Sequence, residues 1–239
     1  MKKINKREIL FIVITILLAI STVVLSVLLC VKKEKLENLQ YYNEKCEMFK
    51  LENANFAHGQ IIFIGDSITD GCALDVFYND LPLATYNRGI GGDSTSGVLN
   101  RLKISLFDIK PSKIVLMIGV NDINSNVSKN KILENYQNIL SEISAKLPTT
   151  QVYCVSILPI NKMLEDYTPI NVESSTELIL KINPEIQNLT GQFGYEFVNM
   201  YPHFADSNNF LIESLTPDGI HLNSNGYTVY SNLLKPYLM

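Results

Sequence analysis

The chain has 239 residues, 46% of them hydrophobic, with a formal charge of -4 and a pI near 5.4. That length holds one full-sized domain with an appendage, but hardly two complete domains. The acidic balance supplies no basic field for nucleic acid, and a mean hydropathy of +0.10 points instead to a membrane segment.

Residues 1–8 form a short basic N-terminus with Lys2, Lys3, Lys6 and Arg7, and residues 9–31 contain no charged side chain. As a helix that run reaches about 34 Å, enough for a hydrocarbon core of about 30 Å. A cleaved signal peptide is the rival reading. Its small-x-small site would have to be Ala19-Ile20-Ser21, in mid-run, which would leave a hydrophobic new terminus. Lipoprotein-type cleavage before Cys30 is disfavoured by the bulky Leu29. An uncleaved transmembrane anchor is therefore expected. Lys32, Lys33 and Lys35 follow it, so the charge balance favours a cytoplasmic N-terminus and an extracytoplasmic domain by a narrow margin.

Residues 32–57 are charged and Asn-rich, with Leu36, Leu39, Tyr42, Cys46 and Phe49 at helical spacing, and read as a helical stalk. From residue 58 to 239 short apolar runs alternate with amphipathic stretches, the pattern of repeated βα units and a parallel sheet. Five strands are predicted, at 61–64, 83–87, 114–118, 152–157 and 197–200. The first is an unbroken apolar run, as a strand buried on both faces requires. Ser128 is the expected cap of a helix whose stripe runs through Ile132, Tyr136, Ile139, Leu140 and Ile143 to a stop at Pro148. Asn183-Pro184 reads as the start of another helix, and the last follows Asn225-Gly226. Residues 158–172 read as a loop near the site. The cysteines at 30, 46, 72 and 154 form no pair motif, and Cys72 and Cys154 read as small buried hydrophobes.

Parallel sheets bind ligands beyond the carboxyl ends of their strands. There the first strand supplies Gly65-Asp66-Ser67, the second Asn87-Arg88-Gly89-Ile90-Gly91-Gly92-Asp93, and the third Gly119-Val120-Asn121-Asp122. Asp218-Gly219-Ile220-His221, near the C-terminus, adds a carboxylate and an imidazole three residues apart. A serine hydroxyl needs a base to take its proton, and the imidazole base needs a carboxylate to hold its tautomer and steady its charge. That logic assigns Ser67, His221 and Asp218. The Ser67 and Gly92 backbone N-H groups and the Asn121 amide are the candidate donors to a tetrahedral oxyanion.

With these four blocks in order, the chain resembles the SGNH hydrolases, also called the GDSL esterase/lipase family, from about residue 58 to its end. The matching residues are Ser67 within Gly65-Asp66-Ser67-Ile68-Thr69-Asp70, Gly92, Asn121 within Gly119-Val120-Asn121-Asp122, and His221 with Asp218. The resemblance implies a three-layer α/β/α sandwich with a flavodoxin-like five-stranded parallel sheet, a serine-esterase mechanism and no cofactor. Which glycine around position 91 donates to the oxyanion is left open.

Gly-Asp-Ser alone is weak, since a second copy stands at Gly92-Asp93-Ser94. Ser94 follows a glycine-rich loop rather than a strand and reads as a helix cap. Asp66 reads as structural, His58 and His203 as ordinary surface or packing residues, and Arg88 as a loop support in preference to an anion ligand. Asp70 and Tyr86 carry no assignment. Thr69 stands where the second glycine of a G-x-S-x-G elbow would be, three scattered histidines make no metal site, and no P-loop is present. The expected function is a membrane-anchored serine esterase acting on short O-acyl esters, with an envelope polysaccharide as substrate. A lysophospholipase, a sugar O-acyltransferase and a catalytically silent envelope-binding module are the alternatives.

Overall fold

The computed structural model describes residues 6–168 and 170–239; Lys2 and Lys3 of the basic N-terminus lie outside them. The chain forms two compact units, Met1–Glu44 and Lys45–Met239, and helix α1 (Lys6–Asn53) contributes to both. In the first unit Leu17, Leu25 and Leu29 are among the described apolar side chains of α1 that are exposed. The hydroxyls of Thr15, Ser21, Thr22 and Ser26 donate back to carbonyls three or four residues earlier, which satisfies them within the helix. This stretch is long and apolar enough for a membrane span, a test that a signal sequence also passes.

The second unit begins at Lys45, earlier than the boundary expected at 58. The last turns of α1 bury Cys46 and Phe49, so this part of the expected stalk belongs to the folded domain. Five strands follow: β1 (Ile61–Gly65), β2 (Thr85–Gly89), β3 (Lys113–Met117), β4 (Gln151–Val155) and β5 (Glu196–Val198). They pair in the order β2-β1-β3-β4-β5, every neighbour parallel. The helices are α2 (Ser67–Asp70), α3 (Leu74–Phe77), α4 (Thr95–Leu102), α5 (Val120–Asn124), α6 (Lys129–Lys146), α7 (Val172–Gln192), α8 (Tyr201–Phe204) and α9 (Ser224–Leu238). A π-helical turn, Lys103–Phe107, extends α4.

Side chains of β1 alternate between two cores. Ile62 and Ile64 pack with Val98, Tyr136, Ile139 and Ile182 of α4, α6 and α7; Ile61 and Phe63 pack with Ile68, Tyr78, Tyr230 and Leu234 on the α2, α3 and α9 side. The strand is buried on both faces, as its unbroken apolar run requires. This is the expected three-layer sandwich.

Two expected helix starts differ. Asn183-Pro184 lies inside α7, which begins after its cap Asn171. The Asn183 side chain instead both donates to and accepts from the Ile157 backbone beyond β4. Pro184 leaves the Leu180 carbonyl without its helical donor, and Leu180 is 41% exposed, where water can take that carbonyl. At α9 the cap is Asn223, whose side chain accepts from the N-H groups of Asn225 and Gly226, so Asn225-Gly226 sits in the first turn. Ser128 caps α6 as expected. The second strand starts at Thr85 because the Ala84 N-H donates to the Gln60 side chain rather than to the ladder.

Candidate active site

The carboxyl ends of three strands are level: Gly65 of β1 lies opposite Gly89 of β2 and Met117 of β3. Ser67 follows at once as the first residue of α2, so its backbone N-H has no acceptor within the helix. Asp66 caps α2, its Oδ1 accepting from the Ile68 N-H at 3.0 Å. At 1% exposure, burial pushes the Asp66 carboxyl up to about 7; the Ile68 bond opposes this, Asp93 and Asp122 add to it, and His221 also opposes it.

The Ser67 hydroxyl lies 2.9 Å from His221 Nε2, and His221 Nδ1 lies 2.5 Å from Asp218 Oδ2. A tight turn builds this pair. Asp218 Oδ1 accepts the backbone N-H groups of Ile220 and His221, while Thr216 Oγ1 accepts those of Asp218 and Gly219. Gly219 has φ +91°, and a Cβ there would stand 2.8 Å from the Leu164 nitrogen, so the turn demands glycine. Burial alone would raise the Asp218 carboxyl, but bonds from the His221 ring and from the His221 and Ile220 backbone outweigh it and hold the group below its usual range. With Nδ1-H donating to the Asp218 carboxylate, Nε2 faces the Ser67 hydroxyl as an acceptor, the arrangement that an activated serine requires.

The loop after β2 carries the glycines. The Gly89 N-H donates to Asn87 Oδ1 and the Gly91 N-H to Asp70 Oδ2. The N-H of Gly92 has no acceptor among the described residues, and its φ of +74° suits a residue without Cβ. Asn121, in the first turn of α5, uses one amide hydrogen on the Asp93 carbonyl at 2.9 Å, next to Gly92. Asn121 thus keeps a second amide hydrogen beyond this bond, beside the loop that carries the Gly92 N-H.

Sequence reasoning missed Arg101. Its side chain is 1% exposed, and it donates to Asp93 Oδ2 at 2.8 Å, to the carbonyls of Arg88 and Gly65, and to Ser105. It thereby ties the end of β1, the end of β2 and the glycine loop together. The available signal was a charge on the buried stripe of α4, beside Val98 and Leu102. Asp122 is also internal, accepting both the Thr95 N-H and its hydroxyl. Arg88 is buried between the rings of Phe49 and Phe56 and bonds Glu52 and Asn53, a support and not an anion ligand. Ser94 caps α4. His58 and His203 are exposed. Tyr86 stacks on Phe56, and Asp70 joins Lys45 to the Gly91 N-H. Cys72 and Cys154 are buried, their thiols pushed up to about 12 and about 11 by burial. A cavity of about 10 Å³ is lined by Asp66, Ile68, Met117, Val120, Ile157 and Ile220 among others.

The GDSL-like lipase/acylhydrolase family pattern matches residues 63–229. The platelet-activating factor acetylhydrolase IB subunit alpha1 of Bos taurus is 27% identical over 187 residues, covering 75% of each chain. A Streptococcus pneumoniae structure, provisionally described as a platelet activating factor, superposes with a TM-score of 0.82 at 30% identity, over 88% of this chain and 99% of its own. The acetylxylan esterase Axe2 of Geobacillus stearothermophilus shares the fold, with a TM-score of 0.61 at 17% identity over 77% of this chain and 95% of its own.

Proposed function

Because this chain belongs to the GDSL-like lipase/acylhydrolase family, we propose that it is a membrane-anchored serine esterase that removes short acyl groups through an acyl-Ser67 intermediate. The observation that carries this reading is the hydrogen-bonded line from Ser67 Oγ through His221 to Asp218, at 2.9 and 2.5 Å. His221 takes the Ser67 proton as the oxygen attacks the ester carbonyl, and returns it to the leaving alcohol. Water then repeats the sequence on the acyl-enzyme. The Ser67 and Gly92 N-H groups and the Asn121 amide hold the oxyanion in both steps.

The acyl group is short in this reading. Two of the similar proteins are named for removing acetyl groups, from platelet-activating factor and from xylan. The apolar N-terminal helix serves as the anchor in this reading, and Lys2, Lys3, Lys6 and Arg7 before it outweigh Lys32, Lys33 and Lys35 after it by a narrow margin, which favours a cytoplasmic N-terminus and an outer domain. An O-acetylated envelope polysaccharide is then the substrate within reach.

The detergent-solubilised full-length chain should hydrolyse p-nitrophenyl acetate, and kcat/KM should fall steadily from acetate to octanoate esters. Ser67→Ala should lower the acetate rate by about 10⁴-fold or more. A rise toward long acyl chains would replace the short-acyl reading with a lipase-type one. Wild type no faster than Ser67→Ala would leave a silent binding module.

A further inference from the structure

The oxyanion role given to Gly92 raises a question of orientation. Gly91 and Gly92 are adjacent and carry no side chains, so nothing local prevents the peptide between them from rotating and turning the Gly92 N-H away from the cleft. The peptide is instead held from both sides. After Gly92, the Asp93 N-H donates to the Ile90 carbonyl at 3.1 Å, and the Asp93 carbonyl accepts Asn121. Before it, the Gly91 N-H donates to Asp70 Oδ2 at 3.2 Å, and the other oxygen of that carboxylate accepts Lys45 Nζ at 2.6 Å. Both side chains are only 19% exposed, so solvent screens this pair less than a surface one. A carboxylate is also a stronger acceptor for a backbone N-H than a neutral group.

The position of each partner is fixed independently. Asp70 closes α2, the short helix that opens on Ser67, and the Asn87 side chain donates to the backbone carbonyls of Thr69, Asp70 and Cys72. Lys45 stands on the last turns of α1, which are anchored by buried Phe49 and by Glu52 and Asn53 on Arg88. One carboxylate therefore sets the glycine loop relative to the helix that carries the nucleophile, and a lysine from α1 sets that carboxylate. We propose that Asp70 and Lys45 are positioning residues for the oxyanion donors, which makes the end of α1 a working part of the esterase. This rests on the esterase reading above.

The test is steady-state hydrolysis of p-nitrophenyl acetate by the full-length chain in detergent, with thermal melts of every variant. Asp70→Ala and Lys45→Ala should lower kcat by about 10-fold to 100-fold, since misplaced donors cost transition-state stabilisation, with KM within about twofold of wild type. Lys45→Arg should recover most of the loss, and Asp70→Asn, which keeps an acceptor for the Gly91 N-H, should lose less than Asp70→Ala. Lys50→Ala, which removes the exposed pair with Glu47 on the same helix, should match wild type. If Asp70→Ala fails to fold, Lys45→Ala and Asp70→Asn decide. Wild-type kcat in the Lys45 and Asp70 variants, or a loss confined to KM, overturns the proposal while Ser67-dependent turnover leaves the esterase reading intact. Wild type no faster than Ser67→Ala removes both.

Discussion

At the scale of single residues, the site places a carboxyl that burial has lifted far above its ordinary range directly before Ser67. Asp66 is 1% exposed, and burial lifts its carboxyl to about 7. In the unfolded chain the same group titrates near its ordinary value of about 3.9. Between about pH 4 and pH 7 the folded state thus binds more protons than the unfolded one, so this residue's contribution to stability is full below that window and is lost as pH rises through it. Asp66→Asn keeps an acceptor for the Ile68 N-H and does not titrate. Its Tm relative to wild type should therefore climb from about pH 5 to about pH 8, and a difference independent of pH would refute the buried, raised carboxyl. Asp66 was legible in the sequence as structural, but its titration was not, because that depends on burial and on Asp93 and Asp122 from distant segments.

At the scale of elements, what could be read was whatever depends on local pattern: the apolar strands, the stripe of α6 with its Ser128 cap, and the order of the four motif blocks. Elements governed by long-range partners were misread. Asn183-Pro184 has the local grammar of a helix start, yet Asn183 is committed to the Ile157 backbone and the helix runs through the proline. Arg101 on α4 was missed for a related reason, because nothing near it in sequence announces the carbonyls of Gly65 and Arg88 as its acceptors. Arg101→Met would leave the Asp93 carboxylate buried without its counter-charge, and breaking such a pair costs about 3–5 kcal/mol. Urea unfolding should show a loss of that order for Arg101→Met and a smaller one for Arg101→Lys. A loss under about 1 kcal/mol for Arg101→Met would mean that Arg101 does not hold the strand ends together.

At the scale of the whole molecule, the candidate site is assembled from segments 154 residues apart in the chain, Ser67 and His221, on one edge of a parallel sheet. The motif blocks made that assembly readable, since each follows a strand or a tight turn that fixes where its side chains go. The start of the folded domain was less readable. The helical spacing of Cys46 and Phe49 was visible, but not that Phe49 packs on Arg88 or that Lys45 reaches Asp70. The central claim is that Ser67 carries the acyl group between ester and water. Rapid quenching of the full-length chain with p-nitrophenyl acetate, followed by peptide mass spectrometry, tests it most directly. The account predicts one acetyl group on the peptide containing Ser67, formed in a burst at the rate of p-nitrophenol release and absent from Ser67→Ala. Turnover that persists in Ser67→Ala at the wild-type rate, with no acetylated Ser67 in the wild type, would contradict it.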